Sequence, residues 1–252
     1  MFRTRRAGVD RLPARFPAVH SMEYRSSPGR PRGTLPDMWL SPTSCVDSDT
    51  PGVIAFARGA VGSETDPVRR AVALYYATRD SVTYTPYCDY RSPETYRASA
   101  VLAKGAGFCV GKAALLTAAA RVADIPARLR FADVRNHLCT PRLRELVGGD
   151  VFYYHGYVEL ELDGRWVKAT PAFEKTLCER FGVLPLEFDG RTDSIFQAYD
   201  RAGRRHMEYL LDRGVHADVP VAEIMAIFAR EYPRLVERGA GESVTRFREE
   251  AG

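Results

Sequence analysis

The 252-residue sequence predicts an α+β fold in which a helix packs on an antiparallel sheet. Helical patterns come first along the chain, strand patterns dominate the middle, and helical patterns return near the C-terminus. Cys109 opens an apolar run over 110–121, which is typical of a buried helix. Asp163-Gly164 is a two-residue hairpin signal between two extended segments, and it predicts that these segments pair as antiparallel strands.

The composition is that of an ordinary globular protein, with 45% hydrophobic and 27% charged residues. Five scattered cysteines without a CxxC pair indicate reduced thiols, and no signal-peptide core opens the chain, so we expect a cytoplasmic protein. No stretch approaches the roughly 18 apolar residues of a membrane span. The net charge of +4 is too small to imply nucleic acid. We therefore expect neither a membrane nor a nucleic-acid partner.

The beginning of the chain differs from the rest in composition. Arginine, proline and glycine dominate it, and such a segment buries little apolar surface, so we predict a disordered N-terminal extension over 1–38. The alternatives are an anion-binding arm, or a true start at Met22 or Met38. We predict a main domain over 39–215 and a C-terminal helical extension of that domain over 216–252, with its polar last dozen residues frayed.

Two helix N-termini are marked by capping residues. Asp66 and Ser92 each precede a proline. Aspartate and serine cap helices and proline suits the first turn, so we predict a helix start at each of these positions. The predicted elements, in chain order, are a short helix within 40–62, a helix over 67–79, an extended piece at 82–86, a helix from Ser92, a turn at 102–107, a helix from Cys109 to Ala123, a strand over 127–132, a helix over 141–147, a hairpin of 152–162 with 165–170, and a helix over 221–232 with Ile224, Met225, Ile227 and Phe228 inward.

The hairpin has a predicted register. The two-residue turn pairs Leu162 with Arg165, and the same register brings Glu159 opposite Lys168, an opposite-charge pair that supports it. On this register His155 falls opposite Ala172 and Tyr157 opposite Thr170. The face that carries Val158, Leu160 and Leu162 is predicted to lie in the core.

Cys109 stands at a predicted helix N-terminus just after Gly107, whose backbone freedom allows a sharp start to the helix. The unpaired first-turn N–H groups and the positive end of the helix dipole favour a thiolate, and the same groups could hold an oxyanion. The alternative is that Cys109 is a small buried hydrophobe, as most free cysteines are.

His155 lies at the beginning of the first hairpin strand. A thiol at a helix tip that faces a histidine on a hairpin is the minimal apparatus of cysteine nucleophilic catalysis. Thr170 lies on the same face as a diagonal neighbour, and its Oγ1 could orient the imidazole. The alternative is a structural strand histidine that is hydrogen-bonded to backbone.

Four segments in this order resemble the transglutaminase-like superfamily, and the resemblance covers roughly residues 65–175. They are Gly107-Phe-Cys109, Ile125-Pro-Ala-Arg128, Tyr154-His155-Gly156-Tyr157 and Asp163-Gly-Arg-Trp-Val-Lys-Ala-Thr-Pro171. The resemblance implies a papain-like transglutaminase core, with Cys109 as nucleophile and His155 as general base and acid, which makes 39–215 the catalytic domain. The third position of the family, usually aspartate, falls on Thr170. Threonine cannot stabilise an imidazolium as a carboxylate does, but the segment Ala-Thr-Pro-Ala-Phe is similar to that of a bacterial subgroup.

Further candidates surround these three residues. We expect Gly107, Phe108 and Tyr157 to contact the substrate or support the site. Asn136 and His137 follow the strand after the nucleophile helix, and they either line the site or form a turn.

Other polar residues are weaker candidates. Asp189, Arg191 and Asp193 either hold a substrate or build a turn, and the turn is favoured. His206 is interpreted as a surface or supporting residue. A metal site of His137, Cys139 and His155 has no known ligand spacing, so we predict no metal and no cofactor.

The predicted chemistry is acyl transfer or hydrolysis through a thioacyl intermediate on Cys109. The expected partners are a peptide, protein or small-molecule acyl donor with an amide or thioester group and, for transfer, an amine acceptor. The fold alone does not choose between them. The alternative, favoured by Thr170, is a non-catalytic binding module that retains the fold. A catalytic Cys109 is expected to alkylate fastest among the five cysteines, with a pKa below the free value of about 8.5.

Overall fold

The computed structural model describes residues 38–137, 139–196, 204 and 206–250. The elements, in chain order, are α1 (Pro51–Val61), α2 (Pro67–Ser81), β1 (Thr83–Tyr84), α3 (Ala98–Lys104), β2 (Ala106–Gly107), α4 (Cys109–Val122), β3 (Ala127–Asn136), α5 (Pro141–Val147), β4 (Val151–Leu162), β5 (Arg165–Ala169), α6 (Lys175–Phe181), β6 (Met207–His216), α7 (Val221–Glu231), α8 (Pro233–Arg238) and α9 (Arg246–Glu249). The predicted disorder of 1–38 and the question of the start lie outside the described residues, apart from Met38. The order of helices, sheet and helices confirms the α+β fold class.

The predicted helix start at Asp66 is confirmed, whereas the one predicted at Ser92 is only a 3-10 turn. The carboxylate of Asp66 accepts a hydrogen bond from the backbone N–H of Arg69 at 2.9 Å and caps α2. Ser92 caps only a 3-10 turn, because the backbone of Arg97 is extended and α3 begins afresh at Ala98. Burial of Tyr96, whose hydroxyl donates to a backbone carbonyl, holds the chain in this break.

The main sheet has the strand order β5-β4-β3-β6, with every neighbouring pair antiparallel. The predicted hairpin register is confirmed, since Leu162 pairs with Arg165 and Glu159 with Lys168. The expected ion pair between the last two is not formed. The buried carboxylate of Glu159 instead binds Arg128 and Arg130 of β3, each at 2.7 Å, because these guanidinium groups lie over the same face.

Strand β3 is longer than predicted and continues to Asn136, because β6 pairs along its outer edge. The sequence pattern did not predict β6. Strand β5 is shorter than predicted and ends at Ala169, so the expected pairings of Thr170 with Tyr157 and of Ala172 with His155 lie beyond the ladder. The backbone N–H of Thr170 donates instead to the carbonyl of Ser194 at 3.0 Å.

Helix α4 lies at the centre of the core, between the sheet and the helices α1, α2 and α3. Its residues are buried from Cys109 to Arg121, and six of the fourteen are alanine or glycine, so neighbouring elements can approach closely. Val158, Leu160 and Leu162 of β4 are almost fully buried, which confirms the predicted core face.

The C-terminal elements pack on the same core. Ile224 and Phe228 of α7 are buried, while Met225 and Ile227 are partly buried against the core. The prediction of a frayed terminus is wrong for the residues described, because Phe247 of α9 is almost fully buried. Within the described part of the chain, none of the helices combines the length and the apolar character that crossing a membrane requires.

Candidate active site

Cys109 is the first residue of α4 and is 9% exposed. Phe108 before it has an extended backbone, and Gly107 pairs with Tyr84 in a parallel two-stranded ladder of β1 and β2. A Cβ at position 107 would lie 3.0 Å from Cγ1 of Val101, so glycine fits this close contact. The predicted helix start at Cys109, two residues after a glycine, is therefore present.

Gly156 brings β4 against the first turn of α4. A Cβ at this position would lie 3.0 Å from Cα of Val110, a backbone atom that cannot move aside easily. The backbone N–H groups of Gly156, Val110 and Cys109 itself lie near the thiol and act to lower its pKa. Because His155 precedes Gly156, this close approach places the histidine strand beside the thiol. In the sequence, Gly156 stands out only as part of the Tyr154-His155-Gly156-Tyr157 motif.

Both candidate catalytic side chains are neutral at neutral pH. Burial raises the pKa of the Cys109 thiol to about 11, although the hydrogen bonds from backbone N–H groups lower it in part. Burial alone lowers the pKa of His155 to about 4. The expectation of a thiolate at the helix tip is wrong here, because removal of the thiol from water outweighs the favourable N–H groups.

A β-bulge holds the backbone immediately before His155. Ala132 pairs with His155 and Val134 with Phe152, so two residues of β4 oppose one of β3. Tyr154, within the bulge, has a positive φ of 54°, which is unusual for a residue with a large side chain.

Asp133 supplies the hydrogen bond that the bulge needs. Its carboxylate accepts from the backbone N–H of Tyr154 at 3.1 Å and from the guanidinium of Arg213 at 3.0 and 2.6 Å. The hydroxyl of Tyr154 in turn donates to Glu223 at 2.8 Å. An ion pair between the buried Asp133 and the half-buried Arg213 thus stabilises the backbone conformation that precedes His155.

Cys109 and His155 line one pocket together with Phe108 and Asn136. The other described lining residues are apolar or aromatic: Tyr84, Pro86, Tyr90, Val134, Leu143, Phe152, Tyr153, Phe173, Phe196, Met207, Phe228, Tyr232, Leu235 and Phe247. The rings of His155 and Phe196 lie 5.3 Å apart, centre to centre. Four predicted site residues therefore meet at this pocket.

Thr170 is not brought into hydrogen-bonding contact with His155. Its Oγ1 and Nε2 of His155 are both buried, and neither has a hydrogen-bond partner among the described residues. The predicted contact fails because β5 ends at Ala169 and the backbone of Thr170 turns toward Ser194. The third position of the family thus holds neither a charge nor a hydrogen bond to the imidazole.

Two other predicted residues lie outside the pocket lining that the structure describes. Tyr157 packs its ring 6.3 Å from that of Tyr209. The Nε2 atom of His137 lies 3.5 Å from a carboxylate oxygen of Glu208. Both residues are therefore candidates for support of the sheet near the site.

The weaker candidates form turns and other structural contacts. The carboxylate of Asp189 accepts from the backbone N–H groups of Arg191 and Thr192, which is the predicted turn. Asp193 accepts from the backbone N–H of Lys168. His206 is buried, with its ring 5.6 Å from Phe196, so the surface interpretation is wrong and the supporting one remains. Among the described residues, no group of three or more His, Cys, Asp and Glu side chains could hold a metal ion.

Lys112, three residues after Cys109 in α4, was not predicted from the sequence as a buried polar residue. It is fully buried, and its Nζ donates to the backbone carbonyls of Arg79 at 2.8 Å and Val82 at 2.5 Å. Burial lowers its pKa to about 7, although Glu174 opposes the shift. The only sequence signal was a lone lysine within an alanine-rich apolar run.

The family model of the transglutaminase-like superfamily matches residues 54–171, a span that includes Cys109 and His155. Among solved structures, the chain is similar to a putative cysteine protease from Cytophaga hutchinsonii. The identity is 18% over 71% of this chain and 53% of that one, with a TM-score of 0.41. It is also similar to a putative protease from Parabacteroides distasonis, at 15% identity over 53% of this chain and 26% of that one, with a TM-score of 0.35.

This chain therefore spans about half of the length of the first structure and about a quarter of the second. No curated protein matches the chain.

Proposed function

Residues 54–171 match the family model of the transglutaminase-like superfamily, and from this match we propose that the chain is a cysteine acyltransferase or amide hydrolase. One observation carries the proposal. Cys109 and His155 line the same pocket, and Gly156, which follows His155, lies against Val110, which follows Cys109. A nucleophile and a base within one pocket are the minimum that acyl transfer requires.

The first step is attack of Cys109 on the carbonyl carbon of an amide or thioester. Because the thiol and the imidazole are both neutral, the S–H proton passes to His155 as the C–S bond forms. The oxyanion that develops accepts hydrogen bonds from the backbone N–H groups around Sγ, those of Val110 and Gly156. The charge separation then arises only in the transition state.

The second step breaks the bond to the leaving group. His155 returns its proton to the amine or thiol as the carbonyl re-forms, and the acyl group remains on Cys109 as a thioester. Water, deprotonated by His155, then attacks the thioester; the C–S bond breaks, the acid leaves, and His155 returns the proton to the Cys109 sulfur. An amine in place of water gives a new amide, so the acceptor decides between hydrolysis and transfer.

The absence of a carboxylate contact changes what His155 must do. Within the described residues, no charged group perturbs the pKa of His155, which burial alone lowers. The imidazolium formed during attack is therefore stabilised only by the developing oxyanion. We expect slower acylation than a Cys-His-Asp site would give, since the Asp of such a triad stabilises the imidazolium.

The test uses a neutral activated ester, p-nitrophenyl hexanoate, and intact-mass spectrometry. We expect a hexanoyl adduct on Cys109, identified by peptide mapping, with a burst of p-nitrophenol. The adduct disappears in Cys109→Ala and forms at least about a hundredfold more slowly in His155→Ala. Cys139→Ala, which removes a half-buried thiol outside the described pocket lining, is the matched control and retains the adduct. Acylation of Cys139 instead of Cys109 would refute the proposal.

A non-catalytic binding module is the second candidate, because the raised pKa of Cys109 and the uncharged Thr170 both favour an unreactive site. The module and the enzyme differ in the reactivity of Cys109. In a binding module, Cys109 acylates no faster than the buried Cys88, and His155→Ala leaves that rate unchanged. The burst experiment therefore decides between the two candidates.

A further inference from the structure

The described lining of the pocket contains no Asp, Glu, Lys or Arg side chain. Apart from Cys109 and His155, its polar groups are the amide of Asn136 and the hydroxyls of four tyrosines. The remainder is aliphatic or aromatic carbon, contributed by nearly every element around the thiol. The chemistry of the wall therefore differs from that of a site for a charged chain, which needs a partner of opposite charge.

Buried charges near the pocket are neutralised by partners of their own. Glu174 binds the guanidinium of Arg248 at 2.8 Å and accepts from the backbone N–H of Tyr84 at 3.0 Å. Asp133 binds Arg213 on the side of the bulge. Among the described residues, the carboxylates of Glu174 and Asp133 are therefore paired and do not offer a free charge to the pocket.

From this wall we infer that the pocket binds an uncharged, apolar acyl chain and excludes acyl chains with a charged end. The inference rests on the proposed function, because it takes Cys109 as the atom that the carbonyl must reach. An apolar chain gains from leaving water at this surface, in proportion to the area buried. A carboxylate or ammonium at the far end would lose its hydration without a compensating ion pair.

A binding measurement tests the inference without using thiol reactivity. Three primary amides of the same length serve as probes: hexanamide, adipamate with a terminal carboxylate, and aminohexanamide with a terminal ammonium. The protein is Cys109→Ser, and the readout is the methyl NMR shifts of Val134 and Leu143 in the pocket wall. We expect hexanamide to shift both methyl signals and to bind at least about tenfold more tightly than either charged amide. Equal binding of all three, or no binding of hexanamide, would overturn the inference.

An alkylation measurement separates this inference from the proposed function. The wild-type protein is treated with N-hexyl iodoacetamide or with the same reagent bearing a terminal carboxylate, and rates at Cys109 are divided by those with free cysteine. We expect a corrected preference of about tenfold or more for the apolar reagent. Fast alkylation by both reagents overturns the inference and leaves Cys109 a reactive nucleophile. If Cys109 is alkylated no faster than Cys88, the result counts against the proposed function. The binding of the three amides then decides whether the pocket prefers an apolar chain.

A charge introduced at the pocket wall gives the matched comparison. Phe152 is half-buried in the lining, and Phe152→Lys supplies the missing counter-charge. We expect the corrected preference at Cys109 to move by about tenfold toward the carboxylate reagent. Leu211→Lys adds the same charge on exposed β6, outside the described lining, and leaves the preference unchanged. An equal effect of both variants would mean that long-range charge, and not the wall, sets the preference.

Discussion

The carboxylate of Asp133 accepts a hydrogen bond from the backbone N–H of Tyr154 at 3.1 Å, one residue before His155. Tyr154 has a φ of 54°, a conformation that costs an ordinary residue about 1–2 kcal/mol. The hydrogen bond offsets this cost, and the ion pair of Asp133 with the half-buried Arg213 holds the carboxylate in place. The position of the imidazole thus depends on a carboxylate that lies outside the described pocket lining.

Replacement of Asp133 tests its effect on the stability of the protein and its effect on the position of His155. Asp133→Ala leaves the N–H of Tyr154 and the charge of Arg213 without this partner, so we expect the free energy of unfolding to fall by about 3 kcal/mol. The rate of Cys109 acylation should fall at least about tenfold as His155 moves. Urea unfolding and single-turnover acylation by the hexanoyl ester give the two numbers.

Asp133→Asn is the control, because its amide oxygen can still accept from Tyr154 while the ion pair is lost. We expect it to lose stability but to retain most of the acylation rate. If Asn and Ala variants slow acylation equally, the hydrogen bond to Tyr154 does not position His155.

The local parts of the fold could be predicted from the sequence, and the non-local parts could not. Asp163-Gly164 fixes a two-residue turn, so the pairing of the hairpin follows from neighbours in sequence. The bulge at Tyr154 depends on Asp133, which is 21 residues away and carries no local sign of its partner. For the same reason β6, which pairs with β3 far along the chain, was missed.

In the candidate site, too, the local features could be predicted from the sequence and the non-local ones could not. The helix start at Cys109 could be predicted because a glycine turn and an apolar run are adjacent. The protonation state could not, since it depends on how completely the fold buries the thiol and on the N–H of Gly156. The burial of Lys112 depends on carbonyl groups of Arg79 and Val82, which no pattern within α4 indicates.

Gly156→Ala tests the close approach of β4 to α4. The added Cβ would lie 3.0 Å from Cα of Val110, so the strand must move away from the helix. We expect a loss of about 1–3 kcal/mol in the free energy of unfolding, and slower acylation because the N–H at 156 leaves Cys109. The matched control is Gly149→Ala, where nothing lies within 4 Å of the added Cβ, and its effect should stay within about 0.5 kcal/mol. Similar losses in both variants would contradict the packing argument.

Lys112 should make stability depend on pH. Burial lowers its pKa to about 7 in the folded protein, whereas in the unfolded chain it is about 10.4. Between these values the unfolded state binds more protons, so the free energy of unfolding rises with pH, by at most about 1.4 kcal/mol per pH unit. Below the folded pKa, lysine is charged in both states and this dependence vanishes.

The measurement is urea unfolding of the wild type and of Lys112→Met between about pH 6 and 8, where most free thiols, with a pKa of about 8.5, remain protonated. We expect the wild type to gain stability relative to the variant as the pH rises. Lys104→Met replaces an exposed lysine of α3 and should keep the pH dependence of the wild type. A parallel course of the wild type and Lys112→Met would show that Lys112 does not change its protonation in this range.

The pH profile of acylation tests the neutral pair of Cys109 and His155. His155 must be neutral to accept the thiol proton, and its pKa is lowered to about 4 by burial. With a neutral acyl donor, we therefore expect the single-turnover rate to rise through about pH 4 and to remain level through neutral pH. A second rise should begin only as Cys109, with a pKa of about 11, starts to ionise.

A thiolate–imidazolium pair would behave differently, because its rate falls when the imidazolium loses its proton. His155→Gln removes the base and should abolish the acid limb while it lowers the level rate by about a hundredfold or more. An acid limb near the ordinary histidine pKa of about 6.5 would mean that the imidazole is hydrated when the substrate binds.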